Sequence, residues 1–318
     1  MKPYSVLPAI ALSFILVFSL AACSGPTDFP EEGEVRAVTT IYPLYDFVRK
    51  IGGERVSAIN LVPAGVEPHD WTPKPKDMRN IAKADLFVYN GAGFEGWVAD
   101  FLASLGGDAP HIVEASRGAD LILTDGRGHG DEGHGGGHDA AQRHSRYDPH
   151  VWLSPRQAVK LAENIKDGLT AADPAGRERY AEGFRALKER LEELDRQFAE
   201  TIAAAPKKEI IVSHNAFAYI ARDYGLNLMS VMGLSPDEEP TAQRMKEITD
   251  FAKERGIRHI LFEELVSPRV AETLAESLGI GTMVLNPLEG LTEEQARNGE
   301  DYFSIMTANL TTLKKALQ

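Results

Sequence analysis

The chain has 318 residues, 43% of them hydrophobic and 25% charged, with a formal net charge of −13. That length and balance describe a globular protein with room for two domains, each able to bury its own core. The acidic excess argues against a nucleic-acid partner, because phosphate binding depends on Lys and Arg releasing counterions.

Lys2 precedes an apolar run from Val6 to Leu20 that ends in the small residues "LAAC" of Leu20 to Cys23. A basic start, a short apolar core and a small-residue cleavage site make residues 1–22 a secretory signal peptide. The run falls short of the ~20 residues that cross a bilayer, which disfavours a membrane-spanning anchor. Cys23, the only cysteine, stands where cleavage leaves it N-terminal. It resembles a bacterial lipobox cysteine, which implies a thioether-linked diacylglycerol; the alternative is a free thiol. Acyl chains would hold the protein at a membrane surface, and residues 23–34 then form a polar, lipidated tether. A single cysteine allows no internal disulfide.

From Val35 short β-like runs alternate with helical ones. "VRAVTTI" leads into "YPLYDFVRKIGG", "VSAINLVP" to "PKDMRNIAKA", and "DLFVYNG" to "FEGWVADFLASLGG". Such alternation predicts βα units around a parallel sheet, an N-terminal α/β lobe over 35–173. Within it, residues 126–146 form a Gly-rich loop carrying His129, His134, His138 and His144. Without apolar periodicity this loop has too little surface to bury to offset its ordering entropy, so disorder is expected. His134 and His138 are four apart, yet Gly135 to Gly137 oppose a helix that would align them. Histidine-rich tracts bind metal weakly, so these four are accessory metal candidates; a tolerated insertion is the alternative.

Next, Tyr180, Phe184, Leu187, Leu191, Leu194, Phe198 and Ile202 recur at three- and four-residue steps. This predicts an amphipathic helix over 174–205, with Asp173 as N-cap and Pro174 in the first position. About 30 residues make a rod of roughly 45 Å. Its place between two βα blocks favours a rigid connector with limited hinge motion over a coiled-coil arm. "EIIVSH", "LNLMSV", "HILFEE" and "TMVLNP" then announce a second α/β lobe over 206–318.

His111 and His259 open strands with no acidic or histidine neighbour at ligand spacing, so they read as structural. His69, after "INLVP", and His214, ending "EIIVSH", lie at the carboxyl ends of predicted strands. Open α/β sheets place their ligand sites there, and the two lobes contribute one histidine each, which defines a cleft. His150 joins them in "YDPHVWLSP", where apolar Val151 and Trp152 draw the chain back into the fold before a helix signalled by Ser154 and Pro155. A fourth ligand from the C-terminal lobe is open on spacing alone. Glu289 ends an apolar strand but also reads as a solvated loop carboxylate, and Glu67, Glu263 and Glu264 are rivals.

Seven segments carry a family resemblance: "EPHDWTPKPKD", "DPHVWLSP", "SHNAFAYIARDYGL", "GLSPDEEPTAQ", "FEELVSPRVAETLAESLG", "LNPLEGLT" and "YFSIMTANLTTLKKAL". In order, they span nearly all of residues 35–318. The chain resembles the solute-binding lipoproteins of metal-uptake ABC transporters, in the high-affinity zinc branch. The resemblance implies two βα lobes joined by one long helix with metal in the interlobe cleft. Its three histidines fall on His69, His150 and His214. Many members place an aspartate in an "LDPL"-like segment where this chain has Asn286, and those with the "NPLEGLT" version use its glutamate, here Glu289.

Three imidazoles and one carboxylate suit tetrahedral Zn²⁺, whereas manganese prefers more oxygen. The resemblance implies a non-enzymatic, extracytoplasmic, lipid-anchored monomer that delivers zinc to an ABC permease driven by a cytosolic ATPase. Two other classes remain. A zinc hydrolase would keep an open metal position and a general base, and no H-E-x-x-H motif is present. A surface adhesin that retains only the fold would have lost metal binding.

Overall fold

A computed structural model describes residue 29 and residues 34–107, 109–124, 146–238 and 240–318. Cys23 and the loop histidines His129, His134, His138 and His144 lie outside the described residues. The N-terminal sheet contains β1 (Val35–Thr39), β2 (Val56–Asn60), β3 (Leu86–Tyr89) and β4 (His111–Glu114), in the order β2-β1-β3-β4. The C-terminal sheet contains β5 (Glu209–Val212), β6 (Asn227–Ser230), β7 (His259–Phe262) and β8 (Gly281–Val284), in the matching order β6-β5-β7-β8. All pairings are parallel, so each connection is a crossover and both edges of the cleft are built from strand carboxyl ends.

The crossovers are the predicted helices. They are α1 (Tyr42–Gly52), α2 (Pro75–Ala82) and α3 (Val98–Ser104) in the first lobe, then α4 (Pro155–Ala172) and α5 (Arg177–Ala204). The second lobe adds α6 (Ala218–Tyr224), α7 (Ala242–Arg255), α8 (Arg269–Leu278), α9 (Glu293–Arg297) and α10 (Tyr302–Ala316). α4 starts as its signals direct: Pro155 needs no amide partner, and the Ser154 side chain accepts from the Gln157 amide.

The connector differs at its start. Asp173 caps as expected, accepting from the Ala175 amide, but Pro174–Gly176 form a 3-10 turn and the α-helix begins at Arg177. The Asp173 carboxylate also takes the Tyr180 hydroxyl at 2.7 Å and the Arg55 guanidinium at 2.8 Å. Gly176 sits so close that a Cβ there would lie 2.5 Å from Asp173 Oδ2. Pulling the turn onto one carboxylate tightens it from α to 3-10 geometry.

The two lobes do not have separate cores, contrary to the expectation from length. One apolar cluster runs from Val35, Leu86 and Phe47 through Leu161, Ile165, Leu187, Leu191 and Phe198 to Ile210, Val212 and Leu313. The buried stripe of α5 (Tyr180, Leu187, Leu191, Leu194, Phe198, Ile202) packs against α1, α4 and α10 at once. These helices form an inner layer that both sheets share. Only the outer faces have their own cores: Val38, Ile81, Phe87 and Phe101 beneath α2 and α3, and Ile211, Ile248, Ile260 and Leu274 beneath α7 and α8. Separating the lobes would expose the shared layer to water, so rigidity follows from hydrophobic burial as well as from helix length. Polar ties cross at the same level: Lys50 to Asp301 at 3.0 Å, Tyr42 Oη to the Glu300 carbonyl at 2.9 Å, and Tyr302 Oη to the Trp152 carbonyl at 2.7 Å.

Candidate metal centre

Three of the four sequence-predicted residues follow a strand, and the fourth, His150, stands before a helix. His69 is in the loop after β2, His150 precedes the turn into α4, His214 comes two residues after β5, and Glu289 comes five after β8. The Glu289 loop is held by its own neighbours. The Asn286 side chain accepts from the Leu288 amide at 2.7 Å and donates to Glu264, while Asn309 brackets the Asn286 backbone. Leu288 adopts φ 53° and is fully buried, a left-handed conformation that a leucine holds only where its surroundings over-determine it. This kink turns Glu289 into the cleft. The Asn286 departure therefore replaces an acidic side chain with one that shapes the turn.

The four side chains converge on one point. Glu289 Oε1 lies 3.2 Å from His150 Nε2, 3.3 Å from His69 Nε2 and 3.5 Å from His214 Nε2. His150 Nε2 is 3.3 Å from His69 Nε2 and 3.4 Å from His214 Nε2. A regular tetrahedron with such edges has a centre-to-corner distance of about 2.0 Å, the bond length zinc makes to imidazole nitrogen and carboxylate oxygen. These atoms form a group able to hold a metal ion. His150 and His214 are fully buried, Glu289 is 2% exposed, and the 13% exposure of the His69 side chain is the set's opening to solvent. A cavity of about 590 Å³ adjoins His69, lined by Trp71, Phe94 and Trp97 among others.

The imidazoles are oriented from behind. His150 Nδ1 lies 2.8 Å from Asp148 Oδ1, and His214 Nδ1 lies 2.6 Å from Glu263 Oε1, which also accepts from Ser213 Oγ. An ionised carboxylate only accepts, so Nδ1 carries the donated proton in each ring and the titrating proton sits on Nε2, facing the centre. Burial alone would push the His214 imidazole down, but Glu263 and Glu289 overcome it and hold its pKa at about 10. Burial likewise opposes protonation of His150, and Asp148 with Glu289 raise it. Burial would raise Glu289, yet His69 and the other two rings hold its carboxyl well below the usual range. The centre thus concentrates negative potential on Nε2 positions that accept either protons or a cation.

The rival carboxylates find other places. Glu263 orients His214 rather than joining the four, and Glu264 binds the side chains of Asn286 and Gln295. Half-buried Glu67 stands with exposed Asp70 and Asp237 in an acidic group at the rim, its pKa raised to about 7 by burial and by Glu289. His111 and His259 open β4 and β7 away from the centre, as expected of structural residues. Asp148 was missed by sequence reasoning. Its signal was present in "DPH", two residues before His150 and thus within reach of its own ring.

The chain as a whole has known relatives. A model of the zinc-uptake complex component A, periplasmic, matches residues 37–316. The high-affinity zinc uptake system protein ZnuA of Bacillus subtilis is 40% identical over 317 residues, covering 99% of this chain and 98% of that one. The zinc-binding lipoprotein AdcA of Streptococcus pneumoniae is 39% identical over 96% of this chain, and this chain spans 60% of that longer protein. The crystal structure of the Zn(II)-bound ZnuA-like domain of that AdcA superimposes with a TM-score of 0.75 at 38% identity, covering 90% of this chain and 99% of the domain. The chain therefore belongs to the family of the zinc-uptake complex component A.

Proposed function

We propose that this protein captures Zn²⁺ outside the cytoplasm and hands it to an ABC permease, with His69, His150, His214 and Glu289 as the four ligands. The observation that carries the reading is the convergence of three Nε2 atoms and Glu289 Oε1, with five of their six separations at 3.2–3.5 Å. Four protein donors leave no open position for a reacting water, which separates this centre from a zinc hydrolase. Its N₃O donor set favours zinc over manganese, and an intact ligand set is not what an adhesin retaining only the fold would keep. Zinc here is cargo: the chain's residues bind it, exclude water and release it, and no bond in a substrate is broken. Cys23 supplies the lipid anchor, and the protein acts as a monomer alongside the permease and its ATPase.

Zinc titration of the chain from Ser24, with and without residues 128–144, tests the reading. Tight one-to-one binding is expected to survive the deletion, leaving His129, His134, His138 and His144 as weak collectors. Loss of tight binding on deletion would move the principal site into the loop.

Because the carboxylates behind the rings fix their orientation, Asp148→Asn and Glu263→Gln are each expected to weaken zinc binding by about 10–100-fold without changing stoichiometry. Parent-like affinity in both would show that ring orientation is set by packing alone.

Protons compete for the same nitrogens. In the metal-free protein the His214 proton contributes stability that is complete below the free imidazole value and is lost as pH rises through about 10. Zinc must displace it. Calorimetry at pH 7 to 8 in buffers of different protonation enthalpy is expected to show at least one proton released per zinc, with affinity rising toward pH 9. Binding without proton release would contradict this electrostatic account.

A further inference from the structure

We propose that the outer face of the N-terminal lobe, formed by α2 and the apolar layer beneath it, rests on an anionic lipid surface and so orients the cleft relative to the membrane. This rests on the reading of Cys23 as the lipidated residue. Phe29, in the middle of the tether, is half-buried and packs against the outer core of Val38, Ile81, Phe87, Val98 and Phe101. The chain is therefore pinned to the lobe five residues before β1's flanking Glu34. From Cys23 to Phe29 a fully extended chain reaches about 20 Å, against nearly twice that if the tether were free up to Glu34. A lipidated Cys23 thus keeps this side of the lobe close to the headgroups, while the protein as a whole is wider than that reach.

Charge favours the same contact. Between Thr72 and Ala84 the charged residues are Lys74, Lys76, Asp77, Arg79 and Lys83, a local excess of three positive charges in a chain of net −13. All four cations are exposed, whereas Asp77 is half-buried and its carboxylate accepts from the Lys74 amide at the helix start. Beside them the half-buried Trp71 and Trp97 pair edge to face with ring centres 6.2 Å apart. Amphipathic indoles suit a membrane interface, and juxtamembrane lysines are drawn to anionic headgroups. On the second lobe, the outer helix α8 exposes Glu272 and Glu276, which such a surface repels.

Because Cys23 is the only cysteine, its lipidation leaves no thiol, and an introduced cysteine is labelled uniquely. The test uses the full lipidated chain with Ala82→Cys on α2 or Glu276→Cys on α8, each carrying a donor fluorophore. The proteins are reconstituted into phosphatidylglycerol/phosphatidylcholine vesicles containing a headgroup-linked acceptor. Energy transfer is expected to be strong from position 82 and weak from position 276. Reversing Lys74, Lys76 and Lys83 to Glu, or changing Phe29→Ser, should lower transfer from position 82 while the protein still floats with the vesicles. Each reversed lysine weakens docking of the face by about fivefold or more. Equal transfer from both positions in floating protein, or transfer from position 82 that ignores both changes, overturns the proposal and leaves the anchor intact. Failure of the lipid-processed chain to float, with Cys23→Ser behaving identically, overturns the anchor and this proposal together.

Discussion

His214→Ala and Glu289→Ala are each expected to bind zinc at least about 100-fold more weakly than the parent protein. A four-donor zinc site contributes about 10–16 kcal/mol at neutral pH, or roughly 3 kcal/mol per donor, and about 1.4 kcal/mol is a factor of ten in affinity. Both side chains are essentially buried, and among the described residues no fifth ligand atom joins the group of four. The two variants differ in a second readout. Removing His214 strands Glu263, whose Oε1 among the described residues then keeps only Ser213 Oγ as partner, so the metal-free fold should also lose thermal stability. Removing Glu289 instead relieves a buried carboxylate whose partners are the three rings. Titration with a competing chelator, followed by thermal unfolding of the metal-free proteins, separates the effects. If either variant bound as tightly as the parent, the ligand assignment would be wrong.

Gly183→Ala is expected to destabilise the protein by about 2–3 kcal/mol, the scale of overpacking in a close-packed interior. Helix propensity alone predicts the opposite sign, since alanine is favoured over glycine by about 1 kcal/mol within a helix. The difference comes from the approach of α5 to α1. A Cβ at position 183 would lie 2.3 Å from the Ile51 carbonyl oxygen and 2.7 Å from its Cα. Both are backbone atoms, so no rotamer change relieves the contact and the helices must move apart. Because α5 also packs on α4 and α10, the displacement is felt through the layer shared by both lobes. A fall in melting temperature of about 5 °C or more is the expected result, whereas a rise would show that α1 yields freely.

Local signals carried most of the secondary structure. Short, largely apolar runs mark β1, β5 and β7, as in parallel strands buried on both faces, and the 3.6-residue recurrence from Tyr180 to Ile202 marks α5. The expectation that failed, a separate core for each lobe, failed because chain length says how much surface can be buried but not against what. Leu187 and Leu191 read as one face of a helix in sequence, and which two sheets that face joins is a property of the assembled layers.

The site divides along the same line. His69, His150 and His214 are legible because each stands beside a strand end or a capped helix start, and parallel sheets bring strand ends together. The carboxylates are not separable that way, since Glu67, Glu263, Glu264 and Glu289 all lie near strand ends. Sequence alone determined the βα order and the connector helix and pointed to the three histidines, because propensity, capping and periodicity act over a few residues. Tertiary structure alone decided that Glu289 meets His69 across 220 residues, that Glu263 turns to Nδ1 of His214, and that Glu264 goes to Asn286. Those choices depend on the buried left-handed kink at Leu288 and on the angle at which two sheets share one helical layer, quantities that no local stretch of sequence contains.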